Sequence, residues 1–145
     1  MCKKCALATV SKQVAAVDSA HRKRAKQEYV QWKERIASVP FRPLTEDEWL
    51  QAVKYFNGCA ICGADSVDAR CFFISAKEGG KYVAWNVVPA CEKCATHLRT
   101  NLNPFEMLDP RINDSLYAMK RGNNLALLHK VKDYLERKML DELHR

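Results

Sequence analysis

The sequence has no apolar run that approaches the length of about 18 residues needed to cross a membrane, so we expect neither a spanning helix nor membrane contact. The opening residues, MCKKCALATVSKQVAAVD, lack the continuous apolar core of a secretory signal. The chain has no internal repeat and no low-complexity tract, and its 145 residues are too few for a large multi-domain enzyme. Its 48% hydrophobic residues can still form a modest core. These features predict a small globular protein of the cytoplasm.

Acidic side chains are scarce in the first third of the chain. Residues 1–43 hold ten basic and three acidic side chains, so they carry the whole net charge of +7 and the remainder balances to zero. Such a basic segment is typical of a surface that binds a polyanion, most often nucleic acid, although a solvated helix face is the alternative. Trp32, with Tyr29, is the best candidate for stacking on bases. The expected contacts, to DNA rather than RNA, are Arg22, Lys23, Arg24, Lys26, Lys33 and Arg35.

Cysteine, in contrast, is frequent, and six of the seven cysteines form three Cys-x-x-Cys pairs. Two thiolates at this spacing present both sulfurs to one tetrahedral ion, and two such knuckles complete a four-cysteine zinc site. An odd cysteine count without a signal sequence fits a reducing compartment better than it fits disulfides. We therefore predict one structural zinc ion per chain, with Cys71 as a packed core thiol. The predicted ligands are Cys59, Cys62, Cys91 and Cys94.

The remaining pair, Cys2 and Cys5, has no second pair with which to close a site. Three possibilities stay open: the thiols are unliganded, they share a zinc ion between two chains, or they recruit another ligand such as His21. The second possibility would make the protein a dimer, for which the C-terminal helix is the other candidate interface.

Hydrophobic periodicity and turn residues divide the chain into a basic helical arm over 1–43, a core domain over 44–106 and a C-terminal helical segment over 107–145. In the core domain, Thr45 and Glu48 predict a capping box at the start of a helix. The expected helices cover 11–39, 45–56, 91–100, a segment starting at 103, 113–120 and 125–143, and the expected strands cover 70–74 and 82–86.

The segment between the two central knuckles carries a more specific pattern. Gly79-Gly80 is followed by Asn86, Pro89 and the second knuckle, and an Asn-Pro pair comes shortly afterwards. In order and spacing this segment resembles the HNH endonuclease family, in which a Gly-Gly turn precedes an Asn-Leu-Val-Pro-x-Cys-x-x-Cys sequence. The resemblance covers about residues 56–106. It implies an α+β fold with a small zinc-bound ββα core and flanking helices, and an origin in a phage or mobile element.

The resemblance also implies a chemistry, for which most of the residues are missing. Members of the family cut a phosphodiester with one divalent metal ion, an Asp-His pair on the first strand, an Asn that positions this His, and a His or Asn on the helix. Asn86 matches the third feature, but Cys71-Phe72 replaces the Asp-His pair and Ala95 occupies the helix position. A phenyl ring cannot accept a proton, and a thiol is a poor magnesium ligand. The resemblance thus implies a degenerate protein that binds nucleic acid without efficient cleavage.

Two other functions remain open at this point. An active HNH nickase would need a variant metal shell around Asn86 and His97, loaded with magnesium or another divalent ion. A protein-binding module would instead use the inactive fold to hold a host protein.

Overall fold

The computed structural model describes residues 3–100, 103–112 and 125–145. Over these ranges the protein is a mixed α+β fold, as predicted, with five α-helices and a two-stranded sheet. Its elements are α1 (Lys3–Ala37), α2 (Glu46–Phe56), β1 (Ala69–Phe72), a 3₁₀ turn (Ala76–Glu78), β2 (Val87–Ala90), α3 (Glu92–Thr100), α4 (Pro104–Leu108) and α5 (Ala126–Leu143). The expected helix over 113–120 lies outside the described residues.

The second half of α1 lies against the body of the protein. The helix is long because no glycine or proline interrupts it before Pro40, which lacks the N–H group that another turn needs. Ala25 and Trp32, two turns apart, are both buried. The Trp32 ring meets Phe73 and Phe105 edge-on, with ring centroids 5.8 and 5.5 Å away. The interpretation of Trp32 as a stacking platform for bases is therefore wrong, because its ring is packed in the core.

The capping box at the start of α2 is confirmed. The Glu48 amide donates to Thr45 Oγ1 at 3.2 Å, and the Thr45 amide donates to Glu48 Oε1 at 3.0 Å. Asn57 ends the helix in the left-handed conformation, with φ of 51°. Phe56 is buried on α2, with its ring centroid 4.9 Å from that of Tyr134 on α5.

The sheet is an antiparallel pair in which Ala69 lies opposite Ala90 and Cys71 lies opposite Val88. The first strand lies close to its expected position, but the expected second strand over 82–86 is wrong. The backbone turns there instead, since Val83 O accepts hydrogen bonds from the amides of Asn86 and Val87. As a result β2 starts only at Val87, and it leads directly into the second knuckle and α3. α3 packs against β1, and α2 packs against β2.

The C-terminal part completes the core. Asn103 Oδ1 accepts hydrogen bonds from the amides of Phe105 and Glu106, so the Asn-Pro start of α4 forms as predicted. α4 packs against α1. α5 buries one apolar stripe made by Leu128, Val131, Tyr134, Leu135 and Met139. None of the helices in the described ranges is long and apolar enough to cross a membrane.

Candidate metal centre and basic surface

The four predicted cysteine ligands meet at one point. The sulfur atoms of Cys59, Cys62, Cys91 and Cys94 all lie within 4.8 Å of one another. The distance from Cys62 Sγ to Cys91 Sγ is 3.8 Å, far longer than the S–S bond of about 2 Å in a disulfide. Three of the thiols are buried and that of Cys62 is partly exposed. The group is therefore a set of free thiols that could hold a metal ion.

The first knuckle is built by backbone hydrogen bonds around Cys59. Its amide donates to Ala64 O at 2.8 Å, and its carbonyl accepts from the Gly63 amide at 2.9 Å. Gly63 has a φ of 79°, a conformation that side chains disfavour, so glycine is favoured there. The Ala60 amide donates to Pro89 O at 2.8 Å and joins this knuckle to β2.

The second knuckle joins β2 to α3. Cys91 directly follows the last residue of β2, and Cys94 lies in the first turn of α3. The Ala95 amide donates to Cys91 O at 3.0 Å. The carboxylate of Asp68 accepts from the Glu92 amide at 3.2 Å and supplies an acceptor at the start of the helix. Strand, turn and helix thus fix both sulfurs of the second pair.

Hydrogen bonding and burial shift the pKa values of two of these thiols in opposite directions. A hydrogen bond from Cys94 acts against burial, together with backbone amides, and lowers the pKa of Cys59 well below its usual range. Burial raises the pKa of Cys62. A thiolate at Cys59 is the form that ligates a metal ion.

Cys71 does not belong to this group of thiols. It is buried in β1 opposite Val88, and desolvation raises the pKa of its thiol to about 12. The neighbouring Phe72 places its ring 6.4 Å from that of Tyr82. These residues stand where the family resemblance calls for a metal-binding Asp-His pair, and they offer a neutral thiol and an apolar ring.

Asn86 braces a loop with its side chain. It is 2% exposed, and its Oδ1 accepts from the Ile74 amide at 2.8 Å. Its Nδ2 donates to the carbonyls of Ile74 and Lys81 at 3.0 and 3.1 Å. Both Nδ2 protons are therefore committed to backbone acceptors. His97, the other residue of the nickase alternative, lies partly exposed on α3.

The six predicted nucleic-acid contacts divide into two groups. In the first group, Arg22 pairs with Glu106, Lys33 with Glu78 at 3.0 Å, and Arg35 with Glu136 at 3.2 Å.

The second group contains Lys23, Arg24 and Lys26, which are exposed and have no ion-pair partner among the described residues. Sequence reasoning could not separate the groups, since the acidic partners lie between 45 and 101 residues further along the chain.

Two further features were not expected from the sequence. Arg42 joins α2 to α5, because its guanidinium pairs with Glu48 at 2.8 Å and with Glu142 at 3.1 Å. A cleft of about 420 Å³ lies between the end of α1 and the loop before β2. No local sequence pattern predicts either feature, since both bring together residues that are distant in sequence.

The interpretation of Cys2 and Cys5 falls outside the residues whose side chains the structure describes. No family model matches the chain, and no curated protein and no solved structure was found to be similar to it.

Proposed function

We propose that this protein is a zinc-bound, HNH-like nucleic-acid-binding protein that does not cut its ligand efficiently, with DNA as the preferred ligand. The observation that carries the proposal is the exposed trio of cations on α1, Lys23, Arg24 and Lys26, which have no acidic partner among the described residues. A phage or mobile-element origin belongs to the same proposal and rests on the sequence resemblance alone.

Zinc is the ion that the four thiols fit best. Tetrahedral zinc bound to thiolates at about 2.3 Å places neighbouring sulfurs about 3.8 Å apart. The Cys62–Cys91 separation of 3.8 Å agrees with that geometry. A donor set made only of sulfur also favours zinc over magnesium or calcium, which prefer oxygen. Because all four positions are filled by protein ligands, the ion would be structural and would activate no water.

The arrangement of the three exposed cations suits a nucleic-acid backbone. At about 100° per residue, Lys23, Arg24 and Lys26 spread across about 160° of the side of α1 that faces away from buried Ala25 and Trp32. A nucleic-acid strand that lies along this side of α1 can therefore contact cations on both of its edges. Since Ala25 and Trp32 on the same helix are buried in the core, the trio is presented on a rigid support.

The proposed loss of cleavage is supported by the residues that occupy the positions of the catalytic groups of the HNH family. Buried Cys71 and the phenyl ring of Phe72 supply no general base, and Ala95 supplies no metal ligand. Asn86, the matching residue, uses its amide to hold backbone. A protein that kept the zinc scaffold without these groups would bind a phosphodiester and leave it intact.

The test is the salt dependence of duplex DNA binding, measured by fluorescence anisotropy. We expect the K23A/R24A/K26A variant to bind at least tenfold more weakly at about 0.1 M salt, with the slope of log K against log salt reduced by about 2–3. The matched control K54A/R137A/K138A removes the same charge from α2 and α5 and should keep both affinity and slope. Equal effects of the two variants would show that binding depends on net charge and not on α1.

Two measurements address the other functions. Supercoiled plasmid incubated with the protein and magnesium or manganese should stay intact, and nicking that disappears in His97→Ala would instead establish the nickase. If the wild-type protein binds neither duplex nor single-stranded nucleic acid at low salt, the proposal fails, and a role in holding a host protein is favoured.

A further inference from the structure

The cleft of about 420 Å³ is bounded by the end of α1 and the turn before β2. Its walls are apolar: Ile36 and Val39 come from the α1 side, and Val83 and Trp85 come from the turn. The volume lies within the range of about 300–1,000 Å³ that is usual for small-molecule sites. Every lining residue belongs to the described part of the chain, and Gly80 and Asn86 fix the loop that forms one side.

The cleft edge is aromatic and charged. Phe41 is 59% exposed at the cleft, and Lys81 Nζ lies 5.3 Å from the centre of its ring. Lys33 and Glu78 form an ion pair at 3.0 Å on the same lining. The cleft therefore combines an exposed ring, a donor and acceptor pair, and a second cation at Lys81.

We propose that this cleft takes one unstacked nucleobase of a single-stranded nucleic acid whose backbone is held by α1. A base has flat apolar faces that can stack on Phe41, and edges that carry both donors and acceptors, which matches the Lys33–Glu78 pair. Lys81 supplies a cation for the adjoining phosphate. An apolar peptide side chain would use the walls of the cleft but would make no use of the charged groups at its edge.

The position of the cleft on α1 supports this occupant. Lys26 precedes Lys33 by seven residues, so the two lie on the same side of the helix, about 10 Å apart along its axis. A strand that contacts Lys26 and follows this side of the helix can therefore reach the mouth of the cleft. The inference rests on the proposed function, because α1 must bind the backbone before a base can enter.

The experiment compares a 12-nucleotide single strand of thymidines with the same strand made entirely of abasic sites. We expect wild-type protein to bind the thymidine strand about tenfold more tightly. Phe41→Ala, which removes an exposed ring, and Ala37→Trp, which fills the cleft from the exposed end of α1, should both abolish this preference. Leu50→Ala removes an equally exposed apolar side chain from α2 and should keep the preference.

The outcomes separate the two proposals. If the wild-type protein binds both strands equally and still responds to the triple α1 substitution, the base cleft is refuted and backbone binding stands. A preference that survives both Phe41→Ala and Ala37→Trp likewise refutes the cleft. If neither strand nor any duplex binds, backbone binding itself fails. Loss of the preference in both cleft variants, with abasic-strand affinity unchanged, establishes the site.

Discussion

Asn86 and Gly80 hold the loop before β2 as a pair. The Asn86 side chain takes both the amide and the carbonyl of Ile74, and the Gly80 backbone passes so close that a Cβ there would lie 2.8 Å from Asn86 Nδ2. The same Cβ would overlap the carbonyl oxygen of Ile74. Backbone groups that are buried and unpaired are costly, so the loop depends on this close approach.

We expect Gly80→Ala to destabilise the protein by about 3 kcal/mol or more, because the loop must open and break the hydrogen bonds of Asn86. Gly79→Ala is the matched control. Gly79 has a φ of 93°, and nothing lies within 4 Å of its potential Cβ, so only the left-handed conformation is penalised, by about 1–2 kcal/mol. Urea unfolding of both variants measures the difference. Equal losses would mean that the loop tolerates a side chain at Gly80.

For single residues, the sequence predicts which side chains form a site better than it predicts their hydrogen-bond partners. The spacing of the cysteines located all four thiols of the cluster, because a Cys-x-x-Cys turn fixes its own geometry. The role of Asn86 could not be read in the same way. Its partners on Ile74 and Lys81 are backbone atoms, which the sequence does not distinguish from those of any other residue.

Among the elements, α2 carries the clearest electrostatic contribution. Burial alone would raise the pKa of Glu48, but hydrogen bonds from Arg42 and Thr45 outweigh it and lower that pKa to about 2. Since the folded-state pKa lies below the unfolded value of 4.5, the stabilisation is complete above about pH 4.5 and is lost as the pH falls toward 2. Arg42 also pairs with Glu142, so this contribution includes the docking of α5.

Glu48→Gln should therefore lower the free energy of unfolding by about 2 kcal/mol at pH 7, after solvent screening of the pair. The difference in the free energy of unfolding between variant and wild type should become smaller as the pH is lowered from 5 toward 3. Glu46→Gln is the control, since Glu46 at the start of the same helix pairs with Arg70 at the exposed surface, where an ion pair contributes little stability. Urea titrations at several pH values give both curves. A gap that stays constant with pH would contradict the assignment to the carboxylate of Glu48.

Elements whose signals are local were predicted well, and those set by tertiary contacts were not. The capping box of α2 and the Asn-Pro start of α4 depend on residues within one turn, so their sequence signals were sufficient. The second strand was displaced because residues 83–86 form a turn braced by Asn86. Their apolar character, which suggested a strand, reflects burial in that turn and around Trp85.

On the scale of the whole molecule, the charge asymmetry of the sequence is partly neutralised by folding. Arg22, Lys33 and Arg35 lie in the basic segment, yet each is paired with a glutamate from a later element. Surface pairs of this kind contribute little stability individually, but they fix which cations stay available to a ligand. The net charge of +7 follows from the sequence, but which basic side chains a polyanion can reach depends on the fold.

The knuckles join β2, α3 and the end of α2 through one point, so the metal ion should control the stability of the entire core. We expect metal analysis of the purified protein to give one zinc ion per chain. Removing it with a chelator should unfold the core, since binding to thiolates contributes about 10 kcal/mol or more in small zinc domains. Circular dichroism and thermal melting before and after chelation measure the loss, and added zinc should reverse it.

The cysteine variants separate ligands from bystanders in the same measurement. Cys59→Ser should lose the ion, because it removes one of the four clustered sulfurs. Cys71→Ser is the matched control: it alters an equally buried thiol that is outside the cluster, and it should retain one zinc ion even if packing suffers. Cys2→Ser should also leave the zinc content unchanged. A content of two ions per chain that falls to one in Cys2→Ser would contradict a single structural site and assign a second one to the N-terminal pair.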